Sequence, residues 1–375
     1  MRKVLLCTLY LASWVALQTC TGFYTVLPVT TASYELVGNA SSQKDIMKKF
    51  GITGTGADAV HETFLALHAF IKSCEEDADN DKTHKTVVAN EMKQVIKYRD
   101  YIDLPYLNIK YVLALGNNGT LTKLKNVIFI GTNATLGASL RMEVVGIDTF
   151  YNPQLGNTEH HIVFQFKHII AEAKMKEGAS PNTDGGYFNT VVRSLLVPSE
   201  NVKDSGVIYK AILEAGVPQE VIMPVRRYLA STGVPWGPSE NPYGSNPGSR
   251  IKMCDDKLWI PTAFELLGVR PQHPTSTNYL TAHEIEEAGA QTHLDGYQEN
   301  PGSTLTKYDV RNVKTGNESM TAKNWWLASP QRAATAANAV AFCAVKEVPT
   351  TREELIESGR PVVNTAGIAP LFCAM

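Results

Sequence analysis

The fold is decided by the stretch NWWLASP at residues 324–330, together with AFCAV at 341–345 and GIAPLFCAM at 367–375. Each is a short apolar run of aromatic and small residues, which is typical of a buried β-strand. The segment between the two Phe-Cys strands is rich in small and polar residues. We therefore expect the end of the chain to be tied into a sheet, as a rigid scaffold that displays a binding surface rather than a catalytic cleft.

Trp325 and Trp326 form the sharpest local signal. Successive side chains of a strand point to opposite faces, so one Trp faces inward and the other outward. An outward Trp beside a polar loop is a common anchor for carbohydrate or protein, because it offers a large flat area. In the alternative interpretation, both rings pack beneath the loops.

Upstream of these strands, the pattern changes from helical to extended near residue 100. Val60, Phe64, Leu67 and Ile71 recur at helical spacing, and His161–Phe166 is a continuous run of β-forming residues. We predict an α+β protein with a helical segment at 41–99, surface loops at 231–250 and 268–317, and an acidic loop at 74–85. The predicted helices are 57–71, 86–98, 187–196, 207–215 and 263–267, and the predicted strands are 101–105, 127–130, 140–147, 161–166 and 224–229.

The N-terminus has the composition of an export signal. Arg2 and Lys3 precede an apolar stretch, Val4–Leu17, that is too short for a membrane-spanning helix. The sequence LQTC at 17–20 resembles a relaxed lipobox, so we expect a signal peptide at 1–20, lipidation of Cys20 and a tether at 21–40. The protein would then be a lipoprotein of the cell surface or outer membrane; the alternative is a secreted or periplasmic protein cut at an ordinary site near 19–22.

Bulk composition excludes some classes of partner and leaves an ordinary globular protein. A formal net charge of -2 offers no basic face for nucleic acid. The sequence has no nucleophile elbow, phosphate loop or dinucleotide fingerprint. We therefore expect no catalytic residues and no cofactor.

Two kinds of residue cluster raise the question of a metal site. His61-Glu62 and His283-Glu284 lack the second His that a metalloprotease helix needs at i+4. Asp255-Asp256 and the acidic run at 75–81 could attract Ca²⁺, but the run lacks the central Gly and closing Glu of an EF-hand and is better explained as solvated. We expect no metal site.

Six cysteines are present, and Cys7 and Cys20 belong to the leader or anchor. The remaining four, Cys74, Cys254, Cys343 and Cys373, would lie in an oxidising compartment and allow more than one disulfide pairing. Free cysteine is also a common buried apolar residue. We favour buried thiols for Cys343 and Cys373 over a disulfide.

The chain contains an ordered series of short motifs: YIDLP at 101–105, LRMEVVGI at 140–147, HIVFQF at 161–166, GGY at 185–187, VRSLL at 192–196, AGVP at 215–218, RRY at 226–228, KLWIP at 257–261, WLASP at 326–330 and GIAPLFC at 367–373. Together these motifs resemble the treponemal variable-protein type of surface lipoprotein. The similarity covers residues 100–375, and the helices near 42–71 resemble the leader domain of such proteins.

The resemblance implies a C-type lectin-like fold with long loops, of the subclass shared with formylglycine-generating enzymes. It also implies a ligand-binding adhesin whose partner is a protein or glycan on host cells or matrix. In related members, a diversity-generating retroelement rewrites codons that line one exposed face. The residues that match this face here are Asn324, Trp325, Gln331, Arg332, Thr335 and Asn338.

The chain departs from that family after Cys343. Lys346-Glu347-Val348-Pro349 and the charged segment 351–355 replace a short Gly/Ser-rich hairpin, so a fixed paralogue is the alternative to an actively diversified member. Two further alternatives are a copper-dependent oxidase that uses Cys343 and Cys373, and a structural envelope protein without a discrete ligand.

Overall fold

A computed structural model describes residues 45–78, 84–105, 107, 128–129, 140–176, 182–183, 185–200, 205–230, 251–267, 294, 312–314, 320–330, 341–346 and 356–375. The helices are α1 (Ile46–Lys49), α2 (Ala57–Asp77), α3 (His84–Val95), α4 (Val191–Leu196), α5 (Val207–Glu214) and α6 (Ala263–Leu267). The predicted α+β class is confirmed.

The strands fall before, within and after the long polar stretches of the sequence. They are β1 (Tyr101–Leu104), β2 (Ile128–Phe129), β3 (Leu140–Ile147), β4 (Ile162–Phe166), β5 (Ala171–Lys174), β6 (Ile222–Met223), β7 (Val225–Ala230), β8 (Ile251–Asp256), β9 (Asn312–Lys314), β10 (Met320–Ala322), β11 (Trp325–Pro330), β12 (Ala341–Val345), β13 (Ile356–Pro361), β14 (Thr365–Ile368) and β15 (Leu371–Ala374).

In the described residues, the strands form two larger sheets and two pairs. The first sheet has the order β1-β3-β4-β15-β6, and every neighbouring pair is antiparallel. The second sheet has the order β13-β12-β11-β14-β5-β2, in which β11 and β14 run parallel. The pairs are β7-β8 and β9-β10. The C-terminal strand β15 therefore lies between β4 and β6.

Helix α2 packs its apolar stripe on the first sheet. Phe64 contacts Phe164 of β4 and Phe372 of β15, with ring centroids 5.6 and 5.9 Å apart. His68 Nδ1 donates to the carbonyl oxygen of Met375 at 2.6 Å. The helical segment and the first sheet thus share one hydrophobic core.

Two helix predictions were partly wrong. Helix α2 continues to Asp77, so the predicted acidic loop does not begin at Cys74, whose side chain is buried. The predicted helix 187–196 is broken at Thr190, which is extended and caps α4 by accepting from the backbone N–H of Arg193. A short 3₁₀ turn, Gly186–Asn189, precedes the break.

The second sheet contains strands that the sequence pattern missed. β5 and β13 have small or charged residues in place of the expected run of β-forming residues. The predicted strand 367–375 is divided between β14 in this sheet and β15 in the first sheet. Outside the second sheet, β9 falls in the stretch predicted to be irregular. Their pairing partners, not their own propensity, define them as strands.

Candidate functional site

Strands β11 and β12 form the base of the predicted binding face. They pair antiparallel, with Trp325 opposite Val345 and Pro330 opposite Phe342, and the connection between them is the segment 331–340. We call residues 331–340 the display segment. Gln331, Arg332, Thr335 and Asn338 belong to it and lie outside the described residues. Both ends of the display segment are therefore fixed by a strand pair.

Asn324 and Trp325 are the two predicted site residues that the structure describes. Asn324 is half-buried, and its carbonyl oxygen accepts from the backbone N–H of Gly367 at 2.8 Å. Trp325 is fully buried, as is Trp326. The interpretation of Trp325 as an exposed anchor is therefore wrong.

The two Trp rings do point to opposite faces, but each face is covered. Trp326 joins the main core, where its indole Nε1–H donates to the carbonyl oxygen of Ala173 at 2.7 Å. Trp325 packs with Ala263 and Leu266 of α6 on the other face. Because both rings are buried, Trp325 and Trp326 fix β11, the strand that leads into the display segment.

Helix α6 begins with a reciprocal capping box, and a further hydrogen bond connects this end of the helix to β11. Thr262 Oγ1 accepts from the backbone N–H of Glu265 at 3.0 Å, and Glu265 Oε2 accepts from the backbone N–H of Thr262 at 2.8 Å. Ser329 Oγ of β11 accepts from the backbone N–H of Ala263 at 3.0 Å. The signal for this box, Thr262-x-x-Glu265, was present in the sequence.

Glu265 also neutralises a buried arginine. Arg227 of β7 makes a two-bond contact to its carboxylate, at 3.0 and 2.8 Å, and both side chains are almost wholly buried. Burial is the largest influence on Arg227 and lowers its pKa, but Glu265 and the other nearby acidic groups together hold the pKa above its ordinary value. No sequence pattern indicates this pair, because its members lie on different elements.

Asp255 and Asp256 are both engaged by arginines. Arg226 pairs with Asp255 near the surface, and the hydrogen bond from Arg226 lowers the pKa of Asp255. Arg193 makes a two-bond contact to the buried Asp256 at 3.1 and 2.7 Å. These ion pairs leave neither carboxylate as a bare oxygen ligand for Ca²⁺.

The four described cysteines are buried thiols rather than disulfide partners, which agrees with the prediction for Cys343 and Cys373. Cys343 lies in the second sheet with Trp325, whereas Cys373 lies in the first sheet with Trp259. Their strands are not neighbours. The copper hypothesis required adjacent strands, and this geometry does not provide them.

Two general features of the described residues bear on the site. No group of three or more His, Cys, Asp or Glu side chains is arranged to hold a metal ion in this part of the chain. None of the helices in the same residues combines the length and apolarity needed to cross a bilayer.

Comparisons with protein-family models, with curated proteins and with solved structures find no match to this chain.

Proposed function

We propose that the chain is an exported, surface-anchored recognition protein that binds a protein or glycan through the display segment. The observation that carries the proposal is that both ends of the display segment continue into paired strands, β11 and β12, whose described side chains are almost all buried. Side chains in such a connection can change without removing core contacts, and binding sites are often built on loops held by a rigid scaffold.

The finer fold in this proposal is C-type lectin-like. It is supported by the α+β architecture and by the length of the segments 231–250, between β7 and β8, and 268–311, between α6 and β9. The ordered series of motifs in the sequence supports the same scaffold. Calcium-dependent sugar binding is not part of the proposal, because the acidic pair 255–256 is engaged by arginines.

Binding by the display segment is tested with a fourfold variant: Gln331→Ala, Arg332→Ala, Thr335→Ala and Asn338→Ala. Wild-type and variant protein are compared on arrays of matrix proteins and glycans and on host cells. We expect an unchanged circular dichroism spectrum and at least a tenfold loss of affinity, because hot-spot contacts carry most binding energy. A matched control is Gln219→Ala with Glu220→Ala, two exposed residues of the turn before β6. Equal binding by all three proteins would refute the proposal.

The anchor is tested separately from the binding face. In cells fed a labelled fatty acid, the wild-type chain should carry the label, and Cys20→Ser should not. Release of the Cys20→Ser protein into the medium would agree with a lipid anchor. Label on neither chain would leave secretion as the explanation, and label on both would mean that the lipid is attached at a residue other than Cys20.

Active diversification has its own readout. Sequencing the 3′ end of the gene in many descendants of one cell should show substitutions confined to the codons of residues 324–343. An invariant 3′ end would identify a fixed paralogue that binds a single constant partner.

A further inference from the structure

Two histidines that are far apart in the sequence lie close together near the start of β4 in the first sheet. His84 is the first residue of α3, and His160 lies just before β4. Their ring centroids are 5.0 Å apart, with an interplanar angle of 60°. Tyr151 stacks on His160 at 4.2 Å between centroids, so one side of the pair is lined by an aromatic ring.

Each of the two rings has a buried nitrogen without a hydrogen-bond partner. These atoms are Nδ1 of His84 and Nε2 of His160, and only 2% of the His160 surface is exposed. A buried polar atom left unpaired costs about 1–3 kcal/mol. Two such atoms, one on each of two adjacent rings, both lack the partner that a buried polar atom normally has.

Asp148 sets the chemistry of His160. Its Oδ2 lies 2.7 Å from His160 Nδ1, in a pair that is almost wholly buried. The Nδ1–H therefore donates to the carboxylate, which leaves the lone pair on Nε2. A carboxylate behind a histidine is the arrangement that orients metal-ligating imidazoles and raises their basicity.

The backbone at Asp148 has a φ of 58°, in the left-handed region that Asp tolerates better than most residues.

The neighbouring histidine shows what a purely structural role looks like here. His161 Nε2 accepts from the backbone N–H of Phe150 at 3.1 Å, and its Nδ1–H donates to the carbonyl oxygen of Glu159 at 2.8 Å. Both of its nitrogens are satisfied. His84 and His160 differ from it by their open nitrogens.

The ring spacing fits a shared metal ion. With metal–nitrogen bonds of about 2.0–2.1 Å and a near-tetrahedral angle, two imidazole centroids lie about 5 Å apart. The observed spacing is 5.0 Å. The nearest lysine, Lys85, donates to the carbonyl oxygen of Tyr151 at 2.7 Å rather than to either imidazole.

We propose that His84 and His160 bind one divalent transition-metal ion, of the Zn²⁺, Ni²⁺ and Cu²⁺ class that imidazole suits, with Asp148 as the positioning residue. Two protein ligands leave the remaining coordination positions to water or to a ligand from outside. Because α3 and the first sheet each supply one ligand, the ion joins the helical segment to the sheet. This proposal does not depend on the function of the display segment.

The test uses the full chain, stripped with a chelator and titrated with ZnCl₂ by calorimetry, and with CoCl₂ by visible absorption. We expect one ion per chain with a micromolar dissociation constant, a d–d spectrum with nitrogen ligands, and a rise in melting temperature at saturation. His84→Ala and His160→Asn should abolish this binding, and Asp148→Asn should weaken it by about 10–100-fold.

His61→Ala is the matched control, because His61 is an exposed histidine on α2. It should leave stoichiometry and affinity unchanged. If His160→Asn fails to fold, as judged by circular dichroism, His84→Gln still decides the question at a half-buried helix end. Zinc binding of equal stoichiometry and affinity in His84→Ala, His84→Gln and wild type would overturn the proposal, as would the absence of any uptake by the wild type.

Discussion

At the scale of single residues, Glu265 connects three parts of the molecule. Its carboxylate caps α6, neutralises Arg227 of β7, and belongs to the helix that covers Trp325. A buried ion pair contributes little net stability compared with apolar packing, but removal of one partner leaves an uncompensated charge. Loss of Glu265 alone should therefore destabilise the protein more than replacement of both Arg227 and Glu265.

We predict that Glu265→Gln lowers the free energy of unfolding by about 3 kcal/mol, because the Arg227 charge then stays buried without its counter-ion. The double variant Arg227→Met/Glu265→Gln should recover part of this loss. Urea denaturation followed by fluorescence measures both. Glu220→Gln, at an exposed position, is the control and should change stability by less than about 0.5 kcal/mol. A loss below about 1 kcal/mol for Glu265→Gln would contradict the assignment.

Buried thiols make the protein sensitive to alkali. Burial raises the pKa of Cys254 to about 12, with the nearby Asp256 adding to the effect, and burial also raises the pKa of Cys373. An unfolded thiol ionises near pH 8.5, so the unfolded state loses protons that the folded state keeps. The stabilising contribution is complete below that pH and is lost as pH rises toward the folded pKa.

Stability should therefore fall above about pH 9, by up to about 1.4 kcal/mol per pH unit for each such thiol. Cys254→Ala should reduce the slope by about that amount. Denaturant midpoints between pH 8 and 10.5 measure it. Equal slopes for the variant and the wild type would show that Cys254 ionises freely in the folded state.

At the scale of elements, α2 is fitted closely to the end of α5. Gly216 has a φ of 107°, and a Cβ added there would collide with the carbonyl oxygen of Ala57, at the start of α2. Gly56 also has a positive φ, 86°, but a Cβ there would meet nothing within 4 Å. Comparing substitutions at Gly56 and Gly216 therefore distinguishes the cost of backbone strain alone from the added cost of a steric clash.

We predict that Gly216→Ala costs at least about 2 kcal/mol more than Gly56→Ala, for which we expect about 1 kcal/mol from backbone strain alone. Thermal or urea unfolding of the two variants measures the difference. Similar losses in both would mean that α2 does not dock closely against the residue that follows α5.

The packing of α2 on the first sheet gives a second test. Phe64 is wholly buried against Phe164 and Phe372, whereas its neighbour Leu65 is 41% exposed. We expect Phe64→Ala to cost about 3–5 kcal/mol and Leu65→Ala less than about 1 kcal/mol, since a cavity forms only in the first case. Chemical denaturation compares them. A small loss for Phe64→Ala would show that the helical segment packs independently of the sheet.

At the scale of the whole molecule, the helices and the first sheet share a core, so they should unfold together. We predict equal hydrogen-exchange protection for amides in the middle of α2 and in the β4–β15 pair under native conditions. Peptide-level exchange with mass spectrometry measures both. Protection of β4 and β15 that far exceeds that of α2 would identify the helical segment as a separate folding unit.

Local sequence patterns were enough to predict the α+β class, the bounds of β3 and α6, and the opposite orientation of Trp325 and Trp326. These features follow from local periodicity and propensity, which act between residues two to four positions apart. Local periodicity also indicated a helix after residue 56, although not its extension to Asp77.

Which surfaces are covered depends on how distant elements pack together, and local patterns do not predict it. The sequence analysis included Trp325 as a candidate exposed anchor, because no local pattern indicates that α6 packs over it. The Arg227–Glu265 and His84–His160 pairs join residues that are distant in the chain, so their meeting depends on how strands pair and helices dock. The side chains of β14 and β5 have weak β-propensity. These segments are strands because the sheet provides hydrogen-bond partners for their backbones.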